Sequence, residues 1–304
     1  MLDILRHIQK LCHNKPIHEL FDLIVATSTG AFIAGALAAR HTLDRLETEY
    51  WNVCHSFIEA KPTFFNQIKR FLNGYIINPD VIYTLLHGLV GDITLEDLPA
   101  EPKLCLVATD ITINVPQPYI FRNRSLPSSI ESKFPYTSKI KVRDALRAST
   151  AAPTYYPSHQ IDHEQKIADG AIHSNNPIIF ALAEAAIQFP KQPIDMVVSL
   201  GSGTIQSDYH KLETSPPSGM ISWTNTLITM STETEIHHHL AETILGNDHY
   251  IRLSPTNCGE CHLWETDKQI LQQWRTKVQE YCESMTPILE TVVVQKLIRS
   301  TNSK

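Results

Sequence analysis

The stretch from Phe21 to Ala39, FDLIVATSTGAFIAGALAA, constrains this chain more than any other. Residues 21–26 form a short, mostly apolar run that suits a buried strand. Ala31, Ala34, Gly35 and Ala38 then recur at helical spacing and give the next segment a face of small residues, able to approach a sheet closely. A strand, a tight turn and a helix must therefore share about 20 residues, with Ala26-Thr27-Ser28-Thr29-Gly30 at the turn. Leu2, Leu5, Ile8 and Leu11 predict one helix ahead of this unit, ended by Pro16.

Further apolar runs at Leu104–Ala108 and Ile194–Leu200 read as buried strands, with helical patterns around 43–58, 79–89, 141–151 and 175–188 between and beside them. This alternation predicts an α/β fold with a mostly parallel central sheet. After Ser215-Pro216-Pro217-Ser218 the pattern becomes mainly helical, at about 219–245, 267–283 and 286–299. The expected organisation is a main domain over 1–205 and a helical C-terminal extension over 206–304 packed on it. At 304 residues and 42% hydrophobic content the chain can bury a large core.

A net charge of -6, with no basic stripe interleaved with aromatics, excludes nucleic acid as the expected partner. Arg122, Arg124, Lys133, Lys139, Lys141, Arg143 and Arg147 form a local positive excess, read here as a solvated face that could also meet anionic headgroups. Six cysteines scattered through a chain without an evident signal peptide argue against a disulfide framework and for an intracellular setting, cytoplasmic or peripherally membrane-associated. The longest small-apolar run is far short of the ~20 residues that span a bilayer, so any lipid contact is expected to be peripheral.

The turn carries the chemistry. Ala26-Thr27-Ser28-Thr29-Gly30 is G-x-S-x-G with alanine for the first glycine, and small residues on either side of Ser28 let strand and helix cross while the serine projects. At a helix N-terminus its oxygen and an incoming carbonyl meet unsatisfied N–H groups, the Thr29 N–H first among them as an oxyanion donor. Serine and threonine are also ordinary helix caps, so the turn alone leaves both readings open. A second site stands at Ile167-Ala168-Asp169-Gly170-Ala171, where an apolar run ends in Asp-Gly; a carboxylate at a strand end is free to accept a proton from a serine, although Asp-Gly alone is also a common turn.

Together these motifs resemble the patatin-like phospholipase family. FDLIVATSTG (21–30), RASTAAP (147–153), ADGA (168–171) with Asn176-Pro177, and SLGSG (199–203) look like that family's blocks, in its order. The resemblance implies a three-layer α/β/α fold and a Ser28–Asp169 dyad that works without a histidine. Ser28 would take the acyl group and Asp169 would act as base, in hydrolysis of fatty-acyl esters of glycerolipids, with no metal and no cofactor. Ala26, Gly30, Gly170 and Ala171 match the motif positions around the pair. The family's glycine-rich D-G-G-G-x-R/K-G loop is not in this sequence; residues 1–6 look like the helix that follows it. That departure keeps a second reading, a catalytically weak relative that binds lipid or a protein partner.

Rival chemistries are less well supported by spacing. A Ser-His-Asp triad has a candidate in His173, but in α/β-hydrolases several strands precede the elbow, and Ser28 leaves room for one. Zinc ligands could come from His237-His238-His239 or from Cys258, Cys261 and His262. Three successive histidines on a helix diverge, and the cysteine pair has no second pair at finger spacing. The stripe Ile288, Leu289, Val292, Val293, Leu297 and Ile298 reads as core.

Overall fold

Strand β2, Lys103–Asp110, is the axis of the molecule, and its near-continuous burial follows from a sequence, KLCLVATD, that is apolar on both faces. The computed structural model describes residues 1–56, 74–203, 234–256 and 267–302, with Thr63 and Glu265. In chain order the helices are α1 (Leu2–Leu11), α2 (Ile17–Leu20), α3 (Thr29–Ala38), α4 (Leu43–Ser56), α5 (Pro79–Val90), α6 (Val142–Ser149), α7 (Ala171–Ser174), α8 (Ile178–Gln188), α9 (Glu235–Leu245), α10 (Lys268–Ile288) and α11 (Gln295–Asn302). The other strands are β1 (Leu23–Thr27), β3 (Gln117–Arg122), β4 (Tyr136–Thr137), β5 (His159–Gln160), β6 (Lys166–Asp169), β7 (Val197–Leu200) and β8 (Tyr250–Leu253).

The α/β class holds, and the layers follow from the alternation of β2. Leu104, Leu106 and Ala108 enter the large core that also holds Ala31, Phe32, Ala34 and Leu37 of α3 and Val142, Ala145, Leu146 and Ala148 of α6. Cys105 and Val107 face the opposite way, into a smaller cluster with Ile120 and Phe180 of α8. Helices thus cover both faces of the sheet. Gly35 marks a close helix contact: a Cβ there would stand 2.6 Å from Leu146 of α6, so the small-residue face of α3 serves a neighbouring helix as well as the sheet.

The strand pairing is mixed, where the alternation predicted a mostly parallel sheet. β1–β2, β3–β4 and β7–β8 are parallel, and β2–β3, β2–β6 and β5–β6 are antiparallel. The connections explain it. Only residues 111–116 join β2 to β3 and 161–165 join β5 to β6, too short for the crossover of a dozen or so residues that a parallel pair needs. β7, expected in the central sheet, pairs instead with β8, a four-residue strand inside the segment read as helical.

The C-terminal helices pack on the same core. Cys282, Leu289, Val293 and Leu297 join Ile4, Leu5 and Ile8 of α1 there, while Ile288 stays exposed. The expected break near residue 285 is a continuous helical path in which Pro287, which cannot donate to the preceding turn, is followed by a π-helical turn at Leu289–Val294. The expected punctuation at 215–218 and the start of the helix at 219 lie outside the described residues. Cys12, Cys105 and Cys282 are buried free thiols.

The positive excess between residues 122 and 147 is no single surface. Arg122 and Arg147 are buried. The Arg122 guanidinium donates to both carboxylate oxygens of Glu184, at 2.8 and 2.6 Å, tying β3 to α8, and lies 4.3 Å from the centre of the Tyr136 ring. Arg124 donates to the carbonyls of Glu96 and Leu98, and Lys141 and Arg143 pair with Asp92. Removing one partner of a buried bidentate pair strands the other charge. Glu184→Ala is therefore expected to lower the unfolding free energy by about 3–5 kcal/mol, and an Arg122→Met, Glu184→Leu double variant to recover most of that loss, both read from urea denaturation midpoints.

Candidate active site

Two strands meet end to end on one edge of β2. β1 runs parallel to it and finishes with Thr27 opposite Val107; β6 runs antiparallel to it and finishes with Asp169 opposite Ala108. β3 occupies the other edge over the same residues. The C-terminal ends of β1 and β6 therefore point at each other across one residue step of β2. This brings together Ser28 and Asp169, which lie 141 positions apart in the chain.

Ser28 is the N-cap of α3, but its side chain makes no capping bond. Its hydroxyl donates to Asp169 Oδ2 at 2.8 Å. The backbone there has φ 51° and ψ -132°, a left-handed conformation rare for a residue with a Cβ, and such strain persists only where the surroundings impose it. The restraint is visible: the Ser28 N–H donates to the Ser149 carbonyl at 3.2 Å, from the end of α6. The capping reading of this serine is thus displaced by a hydrogen bond to a carboxylate. Ala26 fits in the glycine position without crowding: even a Cβ added at Gly30 would stand 3.7 Å from that of Ala26, an ordinary contact distance.

Asp169 is buried at 1% exposure and held from three sides. Its Oδ1 accepts from the Ala171 N–H at 2.8 Å, its own N–H donates to the Ala151 carbonyl at 3.1 Å, and its carbonyl accepts from Thr109 Oγ1 at 2.9 Å. Burial pushes its carboxyl up to about 6, against the opposing pull of the hydrogen bonds from Ala171 and Ser28. A carboxylate in this range is a far better proton acceptor near neutrality than an ordinary aspartate.

Gly170 is needed for space, not for its dihedral freedom. A Cβ there would lie 2.2 Å from the Val107 carbonyl oxygen and 2.3 Å from Thr27 Oγ1. That carbonyl sits where the two strand ends meet, and it accepts instead from the hydroxyls of Ser149, at 2.7 Å, and Thr27, at 3.4 Å. Ser149, Ala151 and Thr109 brace the pair; the first two lie in the RASTAAP block (147–153) read from the sequence, but none of the three was given a role at the site. Thr109 carried a signal as a polar residue closing the apolar run 104–108, but only the fold says which groups the three reach.

The N–H groups of Thr29 and Gly30 open α3, where an α-helix has no internal acceptor for them. They follow Ser28 directly in the chain, at the positive end of the helix dipole, which favours negative charge. Among the described residues no histidine is wired into the pair: His173 Nε2 is buried without a hydrogen-bond partner. His237 meets Ser174 and His238 meets Tyr250. Of the three successive histidines, His238 and His239 do converge, their ligand atoms lying with one from Glu242 within 4.8 Å of one another on α9. Cys258, Cys261 and His262 lie outside the described residues.

The sequence model of the patatin-like phospholipase family matches residues 2–182, a span that contains both strand ends and the helices that brace them. Calcium-independent phospholipase A2-gamma of Mus musculus is 29% identical over 287 residues, which cover 93% of this chain and 36% of that protein. Phospholipase A I of Arabidopsis thaliana is 28% identical, over 96% of this chain and 26% of its own length. The cGAMP-activated phospholipase of Vibrio cholerae is 27% identical, over 68% of this chain and 61% of its own. The chain thus spans about a third of the first of these relatives.

Because a methyl group at residue 170 would press on backbone, Gly170→Ala is expected to drive β1 and β6 apart. The expected cost is about 1–3 kcal/mol of stability, read by urea denaturation. A variant with an unchanged midpoint would contradict the close approach.

Proposed function

The chain belongs to the patatin-like phospholipase family, and from that premise we propose that it is a lipid acyl hydrolase whose nucleophile is Ser28 and whose base is Asp169. The observation that carries the reading is the 2.8 Å hydrogen bond from the Ser28 hydroxyl to a buried carboxylate at a strained strand-to-helix turn. The substrate class is a fatty-acyl ester of a glycerophospholipid or related glycerolipid, in keeping with the names of the relatives.

Ser28 Oγ attacks the ester carbonyl as its proton passes to Asp169 Oδ2. The Thr29 N–H and the N-terminus of α3 stabilise the tetrahedral oxyanion. Asp169 returns the proton to the departing alcohol, leaving an acyl group on Ser28. Water, deprotonated by the same carboxylate, then releases the fatty acid and restores the serine. Oδ1 stays on the Ala171 N–H, so the oxygen that moves protons keeps its aim toward Ser28. No step calls on a metal or a cofactor. Among the described residues no helix is long and apolar enough to cross a membrane, and the proposal places the chain on a lipid surface as a peripheral enzyme.

Two measurements test this. Ser28→Ala and Asp169→Asn are each expected to lower turnover of a short-chain p-nitrophenyl ester by about 10⁴-fold or more; activity that survives Ser28→Ala sinks the nucleophile assignment. The base works only when ionised, so kcat/KM should be flat above an inflection near pH 6 and fall about tenfold per pH unit below it. An inflection near the ordinary carboxylate range, about pH 4, would show that Asp169 is not the titrating base.

A further inference from the structure

Helix α9 buries Ala241 beside Ile178 of α8 and Tyr250 of β8, and leaves His239 and Glu242 exposed with His238 half-buried between. Glu242 stands four residues after His238 and three after His239, so its carboxylate, one turn along, is a helix-surface neighbour of both imidazoles. One ligand atom from each of the three residues lies within 4.8 Å of the other two. Successive side chains leave a helix about 100° apart, and a shared neighbour one turn on is what lets two adjacent histidines serve one point.

The separations suit an ion. His239 Nδ1 and Glu242 Oε2 are 3.9 Å apart, beyond hydrogen-bond length but matched by a cation between them with bonds of about 2.0–2.1 Å. His238 is braced: its Nδ1 meets the Tyr250 hydroxyl at 3.0 Å, which fixes the ring and keeps Nε2 for a metal, as ligating histidines are ordinarily held. Ligands of one tetrahedral ion stand about 3.4 Å apart, and the remaining closure falls to the side chains of His239 and Glu242, which are 69% and 45% exposed and free to turn.

Charge favours the same occupant. Helix α9 carries no lysine or arginine to repel a cation, and Arg252 of β8 is ion-paired with Glu235 at 3.5 Å. Two imidazoles and one carboxylate suit zinc and its transition-metal neighbours; calcium and magnesium prefer oxygen alone. We infer that His238, His239 and Glu242 form a surface site for a divalent transition-metal ion such as zinc, completed by water. The site is separate from the Ser28–Asp169 pair and does not rest on the hydrolase reading.

The test is calorimetric titration with zinc chloride of the reduced full chain and of its Cys258→Ser, Cys261→Ser variant, which lacks the other zinc-type cluster of the sequence. Saturable binding of one ion is expected in the variant. Added to that background, His239→Ala and Glu242→Gln, both at exposed positions, are each expected to weaken it by about tenfold or more, and His237→Ala to leave it unchanged. Magnesium chloride is expected to give no saturable binding at the same concentrations. Absence of saturable zinc binding in the Cys258→Ser, Cys261→Ser variant overturns the proposal, as does undiminished affinity in His239→Ala and Glu242→Gln. An equal loss in His237→Ala overturns it too, because the ion would then belong to the histidine run and not to this group of three.

Discussion

Everything at the candidate active site depends on one edge of β2 being shared by two strands that end against each other. β1 takes the first five residues of that edge, Lys103–Val107, and β6 the last three, so their C-terminal ends meet between Val107 and Ala108. Strand ends carry unpaired backbone groups, and here those groups are satisfied by a third element: Ser149 and Ala151, at the end of α6, accept from the N–H groups of Ser28 and Asp169. The serine and the carboxylate are held by backbone on rigid elements, which fixes the 2.8 Å bond between them more tightly than loop residues could.

The same junction accounts for the local costs. The Ser28 backbone sits in a region that most side chains avoid, and Asp169 is buried where its charged form is disfavoured. Both are tolerated because the surrounding core is fully packed, with α3 buried along its length from Ala31 to Ala38. A relaxed serine would point elsewhere, and a solvated aspartate would be too weak a base near neutrality. The arginines show the same logic with different endings. Arg122 is neutralised by Glu184 across the opposite layer, whereas Arg147 is held by the Pro157 carbonyl and the Tyr156 ring.

Local features were readable in the sequence where they depend on neighbours in the chain. The strand, turn and helix around Ser28, the helices of residues 1–11 and 79–90, and the strand at 103–110 follow from periodicity and from the placement of small residues. Pairing was not readable in the same way. Parallel order was inferred from alternation, but the short links 111–116 and 161–165 make hairpins, and β8 is a four-residue strand whose partner lies about fifty positions away. Charge grouping failed similarly: arginines close in sequence were read as one face, yet α6 and β3 turn two of them inward.

By itself, the sequence determined the elbow and singled out the two side chains that the fold brings together, because a strand-to-helix turn with Ser28 at its apex and an apolar run closed by Asp169-Gly170 are local patterns. It also carried the glycine at 170, though not its reason. Only the tertiary structure decided that β6 runs against β2 to meet β1, that Gly170 lies on the Val107 carbonyl, and that Asp169 is dry enough to titrate near 6. These depend on hydrogen-bond register and burial between segments up to 141 residues apart, and neither quantity is encoded in any one stretch of the chain.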